Sequence, residues 1–302
     1  MDRNREGSAL SVVLACADSR SRGGSRCIAA LERELATTGG ELLIVSSPEA
    51  RRGAQVSANG PDTREIRSDG VLVPQLWGDG ARAARGRAVA FLIPECEVRP
   101  GWARALLAEL DAGAAGAGGQ FALHGDATST DVAVFVLRYA AFVADGSERR
   151  DVAEIAGDNA MYRRDVLVRH AASIADGFWE IDLHRRLRAE GERLVLTGGA
   201  VAEFASAPPL FAMARQRLTH GRHFGAWRRS TGGRSAFATV LFAPAIPFLL
   251  VARNVRRLPS RARSEMRLLP AIPALFVLAC AWALGEALGA IAGAGTASTG
   301  AA

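Results

Sequence analysis

The most restrictive feature of the sequence is a series of short apolar runs that alternate with segments of helical spacing. SRCIAALERELATT (25–38) and VPQLWGDGARAARG (73–86) predict helices, because their apolar residues recur at helical intervals. Around them lie three short runs rich in Val, Ile and Leu, which are typical of buried strands: LSVVLAC (10–16), ELLIVSS (41–47) and AVAFLI (88–93). This alternation favours an α/β domain with a mostly parallel sheet flanked by helices.

The middle of the chain extends this pattern. PGWARALLAEL (100–110) predicts a helix, because Pro suits a helix start. DAGAAGAGGQ (111–120) predicts a flexible loop from its glycines, and TDVAVFVLRYAAFVA (130–144) is apolar enough for one or two further strands. Two loop-then-helix segments and a closing strand complete the prediction: DNAMYRRDVLVRHA (158–171), GFWEIDLHRRLRAEG (177–191) and RLVLT (193–197).

The C-terminal part of the chain contains two long apolar runs. AFATVLFAPAIPFLLVA (236–252) has 17 uncharged residues but is interrupted by Pro244 and Pro247. LLPAIPALFVLACAWALGEALGAIAGAG (268–295) has 28 residues and one charge, Glu286. The second run is long enough to cross a bilayer, which takes about 20 apolar residues.

The distribution of charge bears on membrane topology. RNVRRLPSRARSEMR (253–267) carries six Arg between the two apolar runs, and such loops stay in the cytoplasm. The N-terminus is polar and without an export signal, so the front domain is also expected in the cytoplasm. Both conditions hold if 236–252 is interfacial or re-entrant and 268–292 is the transmembrane segment. The C-terminus would then lie outside.

Residues 206–234 are interpreted as a basic amphipathic connector. His220 and His223 could be metal ligands, but no third ligand is evident nearby. Arg and aromatic neighbours favour an approach to the membrane surface. The Arg cluster at 215–267 could bind nucleic acid, but its position beside the apolar runs favours lipid headgroups, and no nucleic-acid partner is expected.

Gly285, Gly289 and Gly293 repeat at a spacing of four residues. Small residues at this spacing allow two membrane helices to approach closely, which predicts a homodimer contact. The alternative is that a helix rich in Ala and Gly accumulates glycines by composition alone. Glu286 lies in the same segment and is expected to face protein or headgroups, because a charge in lipid is costly.

Two pairs of acids could carry chemistry. Glu95 and Glu97 follow the third apolar run, and ligands of parallel sheets bind beyond the carboxyl ends of the strands. A carboxylate there could hold a hard divalent cation, or both acids could be solvated loop residues. Glu180 and Asp182 follow Phe178 and could supply a general base, or they could simply favour the dipole of a helix N-terminus.

The order and context of these segments resemble bacterial family 2 glycosyltransferases with the GT-A fold. SVVLACADS and ELLIVSS resemble the family's SVVIPAYNE and EIIVVDD motifs. ARGRAVAFLIPECEVRPGWARALLAEL resembles its segment of strand, Asp-x-Asp motif and Pro-Gly-Trp helix start. GDNAMYRRDVL and GFWEIDLHRRLRAEGERLVL resemble its acceptor-side motif and its helix headed by Glu-Asp. The resemblance covers about residues 10–205.

The resemblance implies a set of site residues. The metal-binding Asp-x-Asp falls on Ile93-Pro94-Glu95, so only Glu95 keeps a carboxylate. The catalytic acid falls on Glu180. The resemblance further implies nucleotide contacts at Ala15, Cys16, Asp18 and Ser46, and donor-side or acceptor-side contacts at Asn159, Tyr162, Arg163, Trp179 and Asp182.

The activity implied by the resemblance is an inverting transfer. Glu180 would take the proton of an acceptor hydroxyl, whose oxygen attacks the sugar of a nucleotide-diphosphate donor. Mg²⁺ or Mn²⁺ near Glu95 would steady the leaving diphosphate, and the acceptor would be a membrane lipid, lipid-linked sugar or envelope glycan precursor. A glycosyltransferase domain at 1–205 would face the cytoplasm, with a membrane-associated region at 235–302.

Two alternatives stay open. The acids missing at Ile93 and Ser46 favour a degenerate, non-catalytic relative that binds a partner or a lipid. The second alternative is an unrelated α/β nucleotide-binding enzyme. The absence of a phosphate-loop motif from the sequence argues against it.

Overall fold

The computed structural model describes residues 9–17, 24–52, 62–146, 149–230 and 235–293. The chain divides into two compact units. The first comprises Met1–His124 and Ala144–Ala205, and the second comprises Gly125–Val143 and Ser206–Ala302. The first unit ends at the C-terminal boundary predicted for the glycosyltransferase domain, but a segment from its middle belongs to the second unit.

The described strands all belong to the first unit. They are β1 (Leu10–Cys16), β2 (Glu41–Ser46), β3 (Thr63–Arg67), β4 (Ala88–Leu92), β5 (Cys96–Val98), β6 (Gly116–Leu123), β7 (Arg150–Val152), β8 (Asn159–Arg163) and β9 (Leu194–Phe204). The strands predicted at 10–16, 41–47, 88–93 and 193–197 are confirmed, and the last of them extends further.

The described helices are divided between the units. They are α1 (Gly24–Thr38), α2 (Val73–Ala83), α3 (Trp102–Asp111), α4 (Ser129–Tyr139), α5 (Arg164–Arg169), α6 (Glu180–Ala189), α7 (Leu210–Ser230), α8 (Ala236–Phe242), α9 (Ile246–Arg257), α10 (Ser260–Glu265) and α11 (Leu268–Ala292). Helix α4 and helices α7 to α11 form the second unit. The helices predicted at 25–38, 73–86, 100–110 and within 177–191 are confirmed.

The sheet has the order β3-β2-β1-β4-β8-β6-β9-β5, and β7 also pairs with β9. Strands β1 to β4 pair in parallel, as do β6 and β9. Strand β8 is antiparallel to both β4 and β6, and β5 and β7 are antiparallel to β9. The sheet is therefore mixed, although the sequence predicts a mostly parallel one, because β8 lies between β4 and β6 and is antiparallel to both.

The loop predicted at 111–120 is wrong, because β6 begins at Gly116 and is buried along most of its length. Its glycines make room for neighbours. A Cβ at Gly116 would lie 2.6 Å from the Tyr162 ring, and a Cβ at Gly118 would lie 2.7 Å from Ile155. The loop predicted at the start of 158–171 is also wrong, because Asn159–Arg163 forms β8 between two other strands.

The strands predicted within 130–144 are wrong, because Ser129–Tyr139 is a helix. Thr128 caps it: its hydroxyl accepts from the Asp131 backbone N–H at 3.3 Å, and the Asp131 carboxylate accepts from the Thr128 N–H at 2.8 Å. This capping box fixes the helix start, and burial of the Val side chains against other helices overrides their preference for strands.

The second unit contains the apolar runs. Two helical segments, Ala236–Arg257 and Leu268–Ala292, are long and apolar enough to cross a membrane by length and composition. Helix α11 packs mainly against α7, and also against α4, α8 and α9.

The glycines of α11 contact α7 of the same chain. A Cβ at Gly285 would collide with the Leu218 carbonyl oxygen, and a Cβ at Gly289 with that of Arg222. Gly293 has open space around it. Gly285 and Gly289 therefore pack against α7 within the chain, and a homodimer contact through these glycines stays a prediction. Glu286 in α11 is 3% exposed and forms an ion pair with Arg228, so it faces protein as predicted.

Candidate functional site

Three parallel strands end at one edge of the sheet, and predicted site residues lie there. Cys16 pairs with Ser46 at the ends of β1 and β2, and Leu14 of β1 pairs with Leu92 at the end of β4. Glu95 follows Leu92 by three residues and is half-buried. The structure therefore brings Cys16, Ser46 and Glu95 to the same edge.

The nucleotide-side residues differ in accessibility. Ala15 and Cys16 are buried, with 1% and 2% exposure, whereas Ser46 is half-buried. Asp18 lies outside the described residues. Any direct side-chain contact with a ligand at this edge would therefore fall to Ser46 rather than to Ala15 or Cys16.

The two acids after β4 have different surroundings. Burial, and secondly the charge of Glu95, raise the pKa of the Cys16 thiol to about 12, so Glu95 lies close to the end of β1. The Glu97 carboxylate lies 3.8 Å from the guanidinium of Arg26 in α1. Glu95 is therefore the acid beside the strand ends, and Glu97 is engaged by an exposed Arg.

The surroundings of Glu95 test whether the residues suit a divalent cation. Ile93, which stands where the resemblance places the first acid, is a core residue with 2% exposure. No group of three His, Cys, Asp or Glu side chains suited to a metal occurs within the described ranges. One carboxylate fits Mg²⁺ or Mn²⁺ only in company with phosphate oxygens, a ligand set that Mg²⁺ commonly uses.

Glu180 begins α6 and approaches the same edge. A Cβ at Gly157 would lie 3.4 Å from the Glu180 carboxyl carbon and 2.8 Å from the Trp77 ring. Gly157 precedes β8 by two residues, and Asn159, the first residue of β8, pairs with Leu92. The Glu180 carboxylate and Glu95 therefore both lie near the carboxyl end of β4.

Buried aromatic side chains pack next to Glu180 on the side of the protein core. Trp77 of α2 donates its indole N–H to the Leu92 carbonyl oxygen at 3.1 Å. Phe178 is fully buried, and its ring centroid lies 4.4 Å from that of Phe91. Trp179 and Glu180 are half-buried at the surface of this cluster. Lacking a side chain, Gly157 allows the indole and the carboxylate to approach each other.

The Pro-Gly-Trp sequence after Glu95 anchors the connection to α3. Gly101 has a φ of 87°, a left-handed conformation that suits glycine. Glu34 of α1 accepts hydrogen bonds at 2.8 Å from the backbone N–H groups of both Gly101 and Ala103. Trp102 is fully buried and donates its indole N–H to Asn159 Oδ1 at 2.7 Å. These contacts fix α3 close behind the segment that carries Glu95.

Asn159, a predicted ligand contact, has structural partners that the sequence did not predict. It is fully buried, and both ends of its amide are occupied. Its Oδ1 accepts from Trp102, and its Nδ2 donates to the Gln120 carbonyl oxygen at 2.9 Å. The polar atoms of Asn159 are therefore already used in joining β8 to α3 and β6.

Tyr162 and Arg163 do not lie at the edge of the sheet where β1, β2 and β4 end. Arg163 pairs with Ala88 at the opposite end of β4, about 13 Å along the strand from Asn159 at about 3.4 Å per residue. Its guanidinium forms ion pairs with Asp165 at 3.2 Å and Glu192 at 3.6 Å. Tyr162 is fully buried between these positions. Both residues therefore lie away from the carboxyl end of β4, and their ligand contacts stay predictions.

The Tyr162 hydroxyl forms a hydrogen bond with His184 Nε2 at 2.7 Å. Burial, and secondly the charge of Glu180, raise the pKa of Tyr162 well above its usual value. Burial, and secondly Arg188, lower the pKa of His184 to about 3, so this histidine is neutral. The hydrogen bond therefore joins α6 to β8.

Asp182, another predicted ligand contact, has its charge neutralised within α6. Its carboxylate accepts from Arg185 and Arg186, each at 2.8 Å, and Asp182 is 9% exposed. Its i,i+3 and i,i+4 partners favour the helix rather than a ligand.

Sequence reasoning did not predict that Arg51 lies at the edge where β2 and β3 end. Its Nη1 donates to the carbonyl oxygens of Ser46 at 2.7 Å and Ser68 at 2.8 Å. These contacts hold a half-buried guanidinium beside the ends of β2 and β3. No motif marks the position, because it depends on the pairing of two strands.

Comparison with known proteins supports the fold. No protein-family model and no curated protein matches the sequence. The chain is similar to a crystal structure of GalNAc-T7 with UDP, GalNAc and Mn²⁺, with 12% sequence identity and a TM-score of 0.52. The match covers 67% of this chain and 44% of that chain, so this chain spans less than half the length of its structural neighbour. The protein therefore has a GT-A-like fold, a mixed α/β sheet flanked by helices.

Proposed function

We propose that the protein is a glycosyltransferase that moves a sugar from a nucleotide-diphosphate donor to a hydroxyl acceptor at a membrane. The observation that carries the proposal is the position of Glu95 and Glu180 near the carboxyl end of β4 in a GT-A-like fold. GalNAc-T7, the structural neighbour, was solved with UDP, GalNAc and Mn²⁺, which supports a nucleotide sugar as the donor class.

Glu180 is the proposed general base. Its half-buried carboxylate takes the proton from the acceptor hydroxyl as the hydroxyl oxygen bonds to the anomeric carbon. The bond from that carbon to the nucleotide diphosphate breaks in the same displacement, which inverts the anomeric configuration. The aromatic cluster below Glu180 holds it in place, and positioning of this kind makes a base effective.

The donor diphosphate is proposed to lie at the ends of β1, β2 and β4. Ser46 and the Arg51 guanidinium lie on one side of this edge and Glu95 on the other. Bound Mg²⁺ or Mn²⁺ would neutralise charge on the diphosphate, with Glu95 as its protein ligand. Because Glu95 is the one carboxylate identified at this edge among the described residues, tight metal binding is expected only together with the diphosphate.

The proposed acceptor is a lipid-linked sugar or an envelope glycan precursor at the cytoplasmic membrane. The two apolar helical segments of the second unit support membrane association. The six Arg of 253–267 support a cytoplasmic position for this part of the chain.

A second candidate function is non-catalytic binding by a GT-A-like protein. Burial of Ile93 at 2% exposure favours it, because the position of the first acid has become part of the core. Such a protein would bind a partner or a lipid without transferring a sugar.

Thermal stability of the purified full chain distinguishes these functions. We expect a nucleoside diphosphate with Mn²⁺ to raise the Tm, and neither component alone to do so. Glu95→Gln should abolish the shift, whereas the matched control Glu97→Gln should retain it. A panel of nucleoside diphosphates that leaves the Tm unchanged would favour the non-catalytic function.

The role of Glu180 is tested separately by Glu180→Gln. This variant should keep the nucleotide-dependent Tm shift, because the base does not hold the donor. Its turnover with the donor that gives the shift should fall by about 10²–10⁴-fold, the usual contribution of a general base. Unchanged turnover would refute the assignment.

A further inference from the structure

The last apolar helix has Arg side chains at both of its ends. Arg267 directly precedes α11. At the other end, Arg222 of α7 donates to the Gly293 carbonyl oxygen at 3.1 Å. Arg229 donates to the carbonyl oxygens of Ala290 at 3.1 Å and Ile291 at 2.8 Å. Cations at a helix C-terminus satisfy its unpaired carbonyls and favour its dipole.

Helix α7 is held against the C-terminal half of α11 by direct backbone contact. Gly221 and Gly225 of α7 face the carbonyl oxygens of Trp282 and Glu286. The α11 glycines face α7 carbonyls in return, and residue numbers rise together along both helices. The two helices are therefore parallel and lie side by side.

This packing conflicts with a transmembrane α11. If α11 crossed a bilayer, the part of α7 that contacts it would lie at the same depth. Arg217 lies over the Trp282 ring and Arg228 pairs with Glu286, so both would lie away from the ends of α11. Charged side chains at hydrocarbon depth are costly. The Arg at each end of α11 also favour the same, cytoplasmic side for both ends.

The second unit also exposes a broad apolar face along α8, α9 and α11. Side chains of this face are between 54% and 82% exposed: Phe237, Leu241, Phe248, Leu249, Leu269 and Leu284. A face of this kind rarely remains in water. The segment 253–267, with its six Arg, comprises the end of α9 and the connection from α9 to α11. Basic segments beside apolar faces suit the anionic headgroups of one leaflet.

We propose that the second unit is a monotopic anchor: α11 lies in the surface of a single anionic leaflet, and neither apolar segment crosses the membrane. The apolar face enters the acyl region, while α7 and the Arg of 253–267 stay at headgroup level. The residue 258–267 connection and the C-terminus then lie on the same side of the membrane.

Labelling of single cysteines tests this topology in the full chain. The background is Cys280→Ala, because Cys16, Cys27 and Cys96 are buried. Ser260→Cys reports the side of the connection, and Ser298→Cys reports the side of the C-terminus. Arg104→Cys, at an exposed position of α3, is the reference for the first unit. A membrane-impermeant maleimide is added to right-side-out and inverted vesicles from cells producing each variant, and detergent-solubilised samples establish that each thiol can react.

All three cysteines are expected to react from the same side. Labelling of Ser298→Cys alone from the opposite side would show that α11 spans the membrane and would overturn the proposal. Labelling of Ser260→Cys alone from the opposite side would indicate a spanning hairpin and would overturn it equally. Neither result depends on sugar transfer, so failure of this inference and failure of the proposed function are distinguishable.

Discussion

Replacing Asn159 by Ala is expected to destabilise the first unit. The substitution removes two buried hydrogen bonds: the one from the Trp102 indole N–H to Asn159 Oδ1 at 2.7 Å, and the one from Asn159 Nδ2 to the Gln120 carbonyl oxygen at 2.9 Å. Each unsatisfied buried group costs about 1–3 kcal/mol, so the free energy of unfolding should fall by about 2–6 kcal/mol. A ligand contact would instead lower donor affinity with little change in stability.

Urea unfolding of the purified full chain, followed by far-UV circular dichroism, measures this loss. Asn254→Ala is the matched control, because Asn254 is 4% exposed and its Nδ2 has no hydrogen-bond partner. We expect the control to lose markedly less stability than Asn159→Ala. An Asn159→Ala protein with unchanged stability and abolished nucleotide binding would refute the structural role and restore the ligand contact.

Three further substitutions test other contacts. Glu34→Ala removes the acceptor for the first turn of α3 and should lower the free energy of unfolding by about 1–2 kcal/mol, measured by urea unfolding. Gly289→Ala places a methyl group against an α7 carbonyl and should cost about 1–3 kcal/mol, whereas Gly125→Ala, which enters open space, should be nearly neutral; equal effects would contradict the close helix contact. The His184 pKa is about 3 in the folded protein, below its unfolded value, so stability is full above about pH 6.5 and falls by about 1.4 kcal/mol per pH unit as pH decreases towards 3. His184→Gln should reduce the slope of the free energy of unfolding between pH 6.5 and 3, because about one proton fewer is taken up on unfolding. An unchanged pH dependence in urea unfolding would contradict the assignment.

The α/β core was predictable because its signals are local. The runs at 10–16, 41–47 and 88–93 are almost entirely apolar, as strands covered on both faces require. β3 lacked such a signal, since its TREIR sequence is half-exposed at the sheet edge. The glycines of β6 suggested a loop because their purpose, to admit Tyr162 and Ile155, depends on residues distant in the sequence.

The candidate site was only partly predictable. Glu95 could be placed because it follows a recognisable strand, and Glu180 because it begins a recognisable helix. The resemblance suggested Asn159 and Tyr162 as ligand contacts, but their burial depends on Trp102 and His184, which come from other elements. Arg51 became visible only when its contacts across β2 and β3 were known.

By itself, the sequence determined the alternation of strands and helices, the concentration of Arg near the apolar runs and the two acids that follow local structural signals. Only the tertiary structure decided that Asn159 is a core residue, that Arg51 lies beside the ends of β2 and β3 and that Gly285 and Gly289 contact α7 of the same chain. The physical reason is that hydrophobic periodicity is a property of neighbouring residues, whereas burial and hydrogen-bond partners depend on which distant segments pack together.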